Sequence, residues 1–172
     1  HWHQEFFRDL DISSLNNHDP SVLAEATTLG KDIHIYNQGR TRYSFGLYQW
    51  SEFQHGVKAR WQWHLNVLHG YQFFDLDGRE PDTAMLCYGR DRIYPTIHFE
   101  RCREGAEDFY LYQTLARLLA ERPTSAGAPL ARTVLAELKQ GVALNQRQPP
   151  AGYDPRRLKA RVIAACEALT AK

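Results

Sequence analysis

Hydrophobic and polar positions alternate most strictly over Val57–Asn66, where Ala59, Trp61, Trp63 and Leu65 fall on one face and Arg60, Gln62, His64 and Asn66 on the other. A period of two with aromatic content predicts a β-strand. Gly56 precedes this stretch, and Leu68-His69-Gly70 supplies a loop signal after it. Similar alternation runs over Leu10–Leu15, before Asn16-Asn17-His18-Asp19-Pro20, and over Lys31–Asn37, before Gln38-Gly39-Arg40-Thr41. Between the first two strands, Ser21–Leu29 reads as a helix, with Asp19 or Ser21 as its cap, Pro20 near the first turn and Gly30 as its stop. Between the second and third, Arg42–His55 reads as one amphipathic helix carrying Tyr43, Leu47, Trp50 and Phe53 at helical spacing.

The order strand, helix, strand, helix, strand leaves each connection long enough for a parallel crossover. The expectation is a parallel sheet of Leu10–Ser14, Ile33–Asn37 and Ala59–Leu65, neighbours in chain order. Each strand has a polar face, read as Asp11 and Ser13, His34 and Tyr36, and Arg60, Gln62 and His64. A parallel sheet sandwiched between helices is apolar on both faces. A polar face on every strand instead suits a barrel interior that opens into a polar site. The strands also run into polar residues at their C-terminal ends, Asn16–His18, Asn37–Arg40 and His64–Asn66, where α/β barrels place their sites.

Tyr71–Tyr94 reads as a long irregular stretch, and its Asp75-Leu76-Asp77-Gly78 run misses the spacing of a calcium loop. Glu100–Glu121 is the strongest helix, with Phe109, Tyr112, Leu115, Ala116 and Leu119 as its apolar stripe. Glu100, Arg103, Glu104 and Glu107 are spaced to pair along its polar face, and Gly105 marks a kink or a close approach. Pro123–Gly127 is a linker, Ala128–Leu144 a further helix, Gln148–Pro155 a proline-rich turn, and Pro155–Leu169 a last amphipathic helix.

Composition narrows the function classes more than it selects one. A chain of 172 residues with 43% hydrophobic residues supports one domain with a real core. With 21 Lys and Arg against 20 Asp and Glu, neither a nucleic-acid surface nor a polybasic membrane surface is expected. No apolar run approaches the ~20 residues of a membrane helix. The three cysteines, Cys87, Cys102 and Cys166, form neither a disulfide framework nor a zinc pattern, and Cys102 reads as a small buried hydrophobe. Eight histidines include a terminal His1-x-His3 pair but no metal-ligand spacing, and no nucleotide-binding loop or nucleophile elbow occurs. No cofactor and no metal are therefore expected. Glu107-Asp108 is the one adjacent acid pair of interest, and its place on a long helix suits ion pairing and packing better than sugar hydrolysis. The opening His1-Trp2-His3-Gln4-Glu5-Phe6-Phe7 lacks an initiator methionine, a signal peptide and a cap, and reads as a piece of a longer chain.

Thr96-Ile-His-Phe-Glu100-Arg-Cys-Arg103-Glu-Gly105-Ala-Glu107-Asp108-Phe-Tyr110 resembles the signature Ser-Ile-Arg-Leu-Glu-x-x-Arg-Asp-Gly-x-Glu-Asp-Tyr. That signature closes the domain-of-unknown-function 4091 family, the C-terminal part of the glycoside hydrolase family 123 catalytic domain and its relatives. Ala59–Asn66 is similar to that family's Gly-Leu-Leu-Tyr-Trp-Ser-Val-Asn strand, with Trp63 and Asn66 in matching places. Leu86-Cys87-Tyr88-Gly89 is similar to its Leu-x-Tyr-Pro-Gly turn without the proline, and Arg42 also fits. The resemblance spans about Arg42–Leu115. His98 stands where the family usually has Arg, and Glu104 where it has Asp.

The resemblance implies that residues 1–122 are the C-terminal portion of a (β/α)8 barrel of the TIM type and that residues 123–172 are a helical extension of the same domain. It also implies a secreted or periplasmic hexosaminidase-like glycoside hydrolase, in which the substrate's acetamido oxygen attacks the anomeric carbon, oriented by an Asp-Glu pair. No Asp-Glu dipeptide occurs in this chain, so that pair is expected upstream and no catalytic residue carries over. The expected partners are a carbohydrate substrate and the rest of the barrel. The expected binding wall comprises Tyr36, Asn37, Arg40, Trp63, His64 and Asn66, at the ends of the second and third strands. Strict alternation puts Trp63 and His64 on opposite faces; the resemblance favours Trp63 and the polar face favours His64. Two other readings stand beside this one: a non-catalytic carbohydrate-binding or structural relative, and a self-contained α/β domain with a small polar ligand.

Overall fold

The structure, a computed structural model, describes residues 9–16, 18–62, 66–67 and 83–171. Strands β1 (Ile12–Leu15), β2 (Asp32–Tyr36) and β3 (Val57–Trp61) form an all-parallel sheet in chain order, as the alternation predicts. Helix α1 (Pro20–Thr28) joins the first two. The Asp19 carboxylate caps it by accepting from the backbone N–H groups of Ser21 and Val22, and Gly30 leaves it at φ +64°.

Register fixes which side chains share a face. Ser13 pairs with Ile33 and Leu15 with Ile35, and Ser13, Ile33 and Ile35 are all buried. That face packs on Val22, Leu23 and Ala26 of α1 and on the helices that follow β2. The register of β2 with β3 shifts at Lys58: Ile33 pairs with Val57, but His34 pairs with Ala59. A bulge of this kind resets which side chains face which way. Val57 and Arg60 therefore lie with Ile33 and Ile35 on the helix side, while Ala59 and Trp61 share the opposite face with His34 and Tyr36.

Two expected faces are thus reversed. Ser13 and Arg60 do not line the polar face of the sheet; they lie on its buried side, and Ser14, Ala59 and Trp61 take the places opposite. Ser13 is small enough to fit among apolar neighbours, and Arg60 finds carbonyl partners there, so neither polar side chain is forced to the open face.

Arg42–His55 is not one helix. It breaks at Gly46 into α2 (Arg42–Phe45) and α3 (Leu47–Gln54), although the apolar spacing runs straight through. Thr41 and Ser44 form a reciprocal capping box at the start of α2. The break lies where α4 (Ile97–Glu121), capped by Thr96, crosses closely. A Cβ on Gly105 of α4 would sit 2.5 Å from the Arg42 carbonyl oxygen and 2.7 Å from Phe45 Cβ. Gly105 thus marks a close approach. Gly105→Ala is expected to destabilise the chain by about 1–3 kcal/mol, because backbone must move to admit the methyl. A denaturation midpoint equal to wild type would show that no such approach exists in solution.

Helix α4 buries Cys102, Gly105, Asp108, Phe109, Tyr112 and Leu115. Helices α5 (Ala128–Gln140) and α6 (Pro155–Thr170) pack on each other and on α4, burying Val134, Leu138, Val162, Ala165 and Leu169. Part of the stretch read as irregular is ordered into short strands. β4 (Asn66–Val67) pairs antiparallel with β5 (Thr83–Ala84), and β6 (Leu86–Tyr88) with β7 (Ile93–Pro95). The Gly89 N–H donates to the Arg92 carbonyl at 2.8 Å and closes the second pair into a hairpin. Strands this short leave no readable alternation. The Asp75–Asp82 loop and the His1-x-His3 pair lie outside the described residues. The fold is mixed α/β, and among the described residues its sheets do not close into a barrel.

Candidate functional site

The parallel sheet is covered by helices on one face only among the described residues. The other face presents Ile12 and Ser14 from β1, His34 and Tyr36 from β2, and Ala59 and Trp61 from β3. Trp61 is 56% exposed and Ile12 53%, values at odds with an all-parallel sheet buried on both sides.

Trp61 and His34 form a defined pair on this face. The indole Nε1–H donates to His34 Nδ1 at 2.9 Å, with the ring centroids 5.8 Å apart and the planes tilted by 45°. An indole N–H can only donate, so Nδ1 is the acceptor and the neutral imidazole carries its proton on Nε2. Tyr36 is the last residue of β2 and pairs in register with Trp61.

The loop after β2 is built for rigidity. Asn37 takes a left-handed conformation, φ +55°, which asparagine tolerates better than most residues, and Gly39 follows at φ +92°. Between them Gln38 is buried. Its Nε2 donates to the Asn16 carbonyl at 2.7 Å and to the Tyr36 carbonyl at 2.6 Å, and its Oε1 accepts from the Tyr48 hydroxyl at 2.8 Å. One amide thereby ties the ends of β1 and β2 together. Arg60 holds the same loop from β3. Its guanidinium donates to the carbonyls of Ser44 and, at 2.5 Å, of Gly39, and lies 3.9 Å over the centre of the Phe45 ring. Burial pulls its pKa down to about 10, which leaves the group charged at neutral pH.

The expected wall residues do not all come together. Tyr36 lies on the open face and Asn37 at the turn that ends β2. Arg40 is half-buried and, with Arg60, acts on the Cys102 thiol, whose pKa is nevertheless raised because burial outweighs both cations. Such a thiol is a poor nucleophile. Asn66 is not the end of the third parallel strand; it opens β4, in a separate antiparallel pair. Trp63 and His64 lie outside the described residues.

The C-terminal segment contributes more than its proline-rich sequence suggests. His18 and Glu52, both with fully buried side chains, are hydrogen-bonded to each other through Nε2 and Oε2. The Asn145 backbone N–H donates to Glu52 Oε1 at 2.7 Å, and its side chain donates to the His18 carbonyl at 2.9 Å. Arg147 donates to the Asn16 carbonyl. These contacts press residues 145–147 against the C-terminal end of β1, and a cleft of about 410 Å³ remains between Gln38, Gly39, Thr41, Arg147, Gln148 and Tyr153. His18 and Glu52 lie 34 positions apart, and no local pattern announces their meeting.

Arg42, Glu104 and Asp108 form a further linked cluster. Arg42 donates to Asp108 through Nε at 2.6 Å and Nη2 at 3.0 Å, and to Glu104 through Nη1 at 3.1 Å. Hydrogen bonding to Asp108 is the main reason that the Arg42 pKa is raised. Asp108 is fully buried, which suits the role in packing expected of it. Among the described residues no cluster of His, Cys, Asp and Glu could hold a metal ion, and no helix is long and apolar enough to cross a membrane. The chain matches no known family model, no curated protein and no solved structure at a significant level.

Proposed function

We propose that this chain is the C-terminal portion of a family-123-like glycoside hydrolase barrel and supplies walls of its substrate cleft. The observation that carries the reading is the all-parallel sheet with one face that no helix covers among the described residues and that bears aromatic and hydrogen-bonding side chains. In a barrel that face is the interior, and its C-terminal end opens into the site. The resemblance adds support, because residues that carry it meet in space: Arg42 bonds Glu104 and Asp108, and Gly105 approaches the turn at Phe45–Gly46. On this reading the acid pair comes from strands that precede β1, and the substrate is an N-acetylhexosaminide.

The test is made on the full-length protein. Wild type should release the phenol from an aryl N-acetyl-β-hexosaminide and bind free N-acetylhexosamine in a calorimetric titration. Trp63→Ala or His64→Ala should weaken that binding by about tenfold or more at unchanged folding. Binding without hydrolysis would identify a non-catalytic relative. Neither binding nor hydrolysis by folded protein would overturn the reading.

A further inference from the structure

Trp61 was not among the expected wall residues, yet its geometry suits a ligand better than packing. The residue is more than half exposed, on the face of the sheet away from the described helices. Its orientation is set by a hydrogen bond to His34 at 2.9 Å, so the ring does not turn freely. It also stands at a particular level of the sheet. Leu15 ends β1 opposite Ile35, and Tyr36 ends β2 opposite Trp61. The chain then leaves the sheet at Asn37, φ +55°. Trp61 therefore sits at the C-terminal rim, level with the last residue of the neighbouring strand β2, rather than in a lower layer of side chains.

We infer that Trp61 and His34 form a ring-binding subsite for a pyranose, an inference that rests on the carbohydrate reading above. The flat indole face offers apolar area to the C–H side of a sugar ring at little conformational cost. His34 contributes in two ways. Its Nδ1 accepts from the indole and fixes the plane of the platform, and its Nε2–H remains as a donor on the same face. Tyr36, in register with Trp61, adds a second aromatic side chain beside it. An aromatic plane flanked by a fixed donor matches the mixed character of a sugar, apolar on its ring faces and polar around its edge. At the matching position the family strand has leucine, so this platform is a feature of the present chain.

The experiment is calorimetric titration of the full-length protein with N-acetylglucosamine and N-acetylgalactosamine. Wild type is compared with Trp61→Ala, Trp61→Phe and His34→Ala, and the melting temperature of each is recorded. The expected result is about tenfold weaker binding in Trp61→Ala, and a smaller loss both in Trp61→Phe, which keeps a flat ring but loses the bond to His34, and in His34→Ala, which keeps the indole but frees its orientation. Ligand-induced tryptophan fluorescence is the second readout: the change seen in wild type should be largely lost in Trp61→Phe. A folded Trp61→Ala variant with wild-type affinity, or a Trp61→Phe variant with an undiminished fluorescence change, overturns the subsite and leaves the hydrolase reading intact. A large drop in melting temperature with unchanged affinity assigns Trp61 to packing and also overturns it. Failure of wild type to bind either sugar overturns both.

Discussion

Asp108→Ala is expected to lower the folding stability of the chain by about 3–5 kcal/mol, the cost typical of breaking a buried ion pair from one side. The Asp108 side chain is fully buried and that of Arg42 is only 15% exposed, so water replaces little of the lost interaction. The pair is bidentate, and Glu104 at 3.1 Å is the partner left to Arg42 once the carboxylate is gone. Lys159, 3.7 Å from Asp108, would lose a partner as well. Converting both residues together, Arg42→Met with Asp108→Leu, should recover much of the loss, because no charge then remains buried and unpaired. Urea denaturation of the two single variants and the double variant measures the coupling. An Asp108→Ala variant within about 0.5 kcal/mol of wild type would show that the pair does not form as described. The effect should reach the site, since α2 begins directly after the Asn37–Thr41 loop and Arg42 is its first residue.

Phe109→Ala comes next, with an expected loss of about 3–5 kcal/mol for a truncated core aromatic. Phe109 is 7% exposed and meets Phe53 of α3 edge-to-face at 5.1 Å between centroids. The ring packs on the helix that precedes β3, because Gly105 brings α4 against the α2–α3 break. Thermal unfolding and sugar titration should be measured on the same variant. A role in packing predicts lower stability with the affinity of the folded fraction retained. A stable variant that has lost ligand binding would move Phe109 into the site.

These effects show what was legible in the sequence. Strand alternation and cap residues gave the parallel order of β1, β2 and β3, and the 3.6-residue period gave α4 and its buried side. Both are local signals with strong periodicity. The break at Gly46 was not legible, because its cause lies in a glycine 59 positions away that lets two backbones meet. Polar character at Ser13 and Arg60 does not mark the open side of β1 and β3. Ser13 is small enough to bury, and the two terminal nitrogens of Arg60 donate to carbonyls while its guanidinium lies over an aromatic ring. The bulge at Lys58, which sets where Arg60 and Trp61 point, has no mark in the residue pattern.

Of the expected wall, the place of Tyr36 on the open face is legible because β2 is regular from end to end. Asn66 was misplaced because alternation continues in the sequence past the point where β3 ends at Trp61. Trp61 carries a readable signal of its own, since in the sequence it shares the Ala59–Leu65 face with Trp63. The His18–Glu52–Asn145 cluster depends on contacts between distant segments, which no local pattern encodes.

The central claim is that the open face of this sheet is the inside of a barrel completed by the rest of a longer chain. Structure determination of the full-length protein tests it most directly. The expected result is that the edge of β1 opposite β2, unpaired among the described residues, pairs with a preceding parallel strand, and that Ser14, His34, Tyr36 and Trp61 point into a closed barrel with an Asp-Glu pair at the same rim. A sheet whose β1 edge stays unpaired, or whose open face is covered by helices, would contradict it.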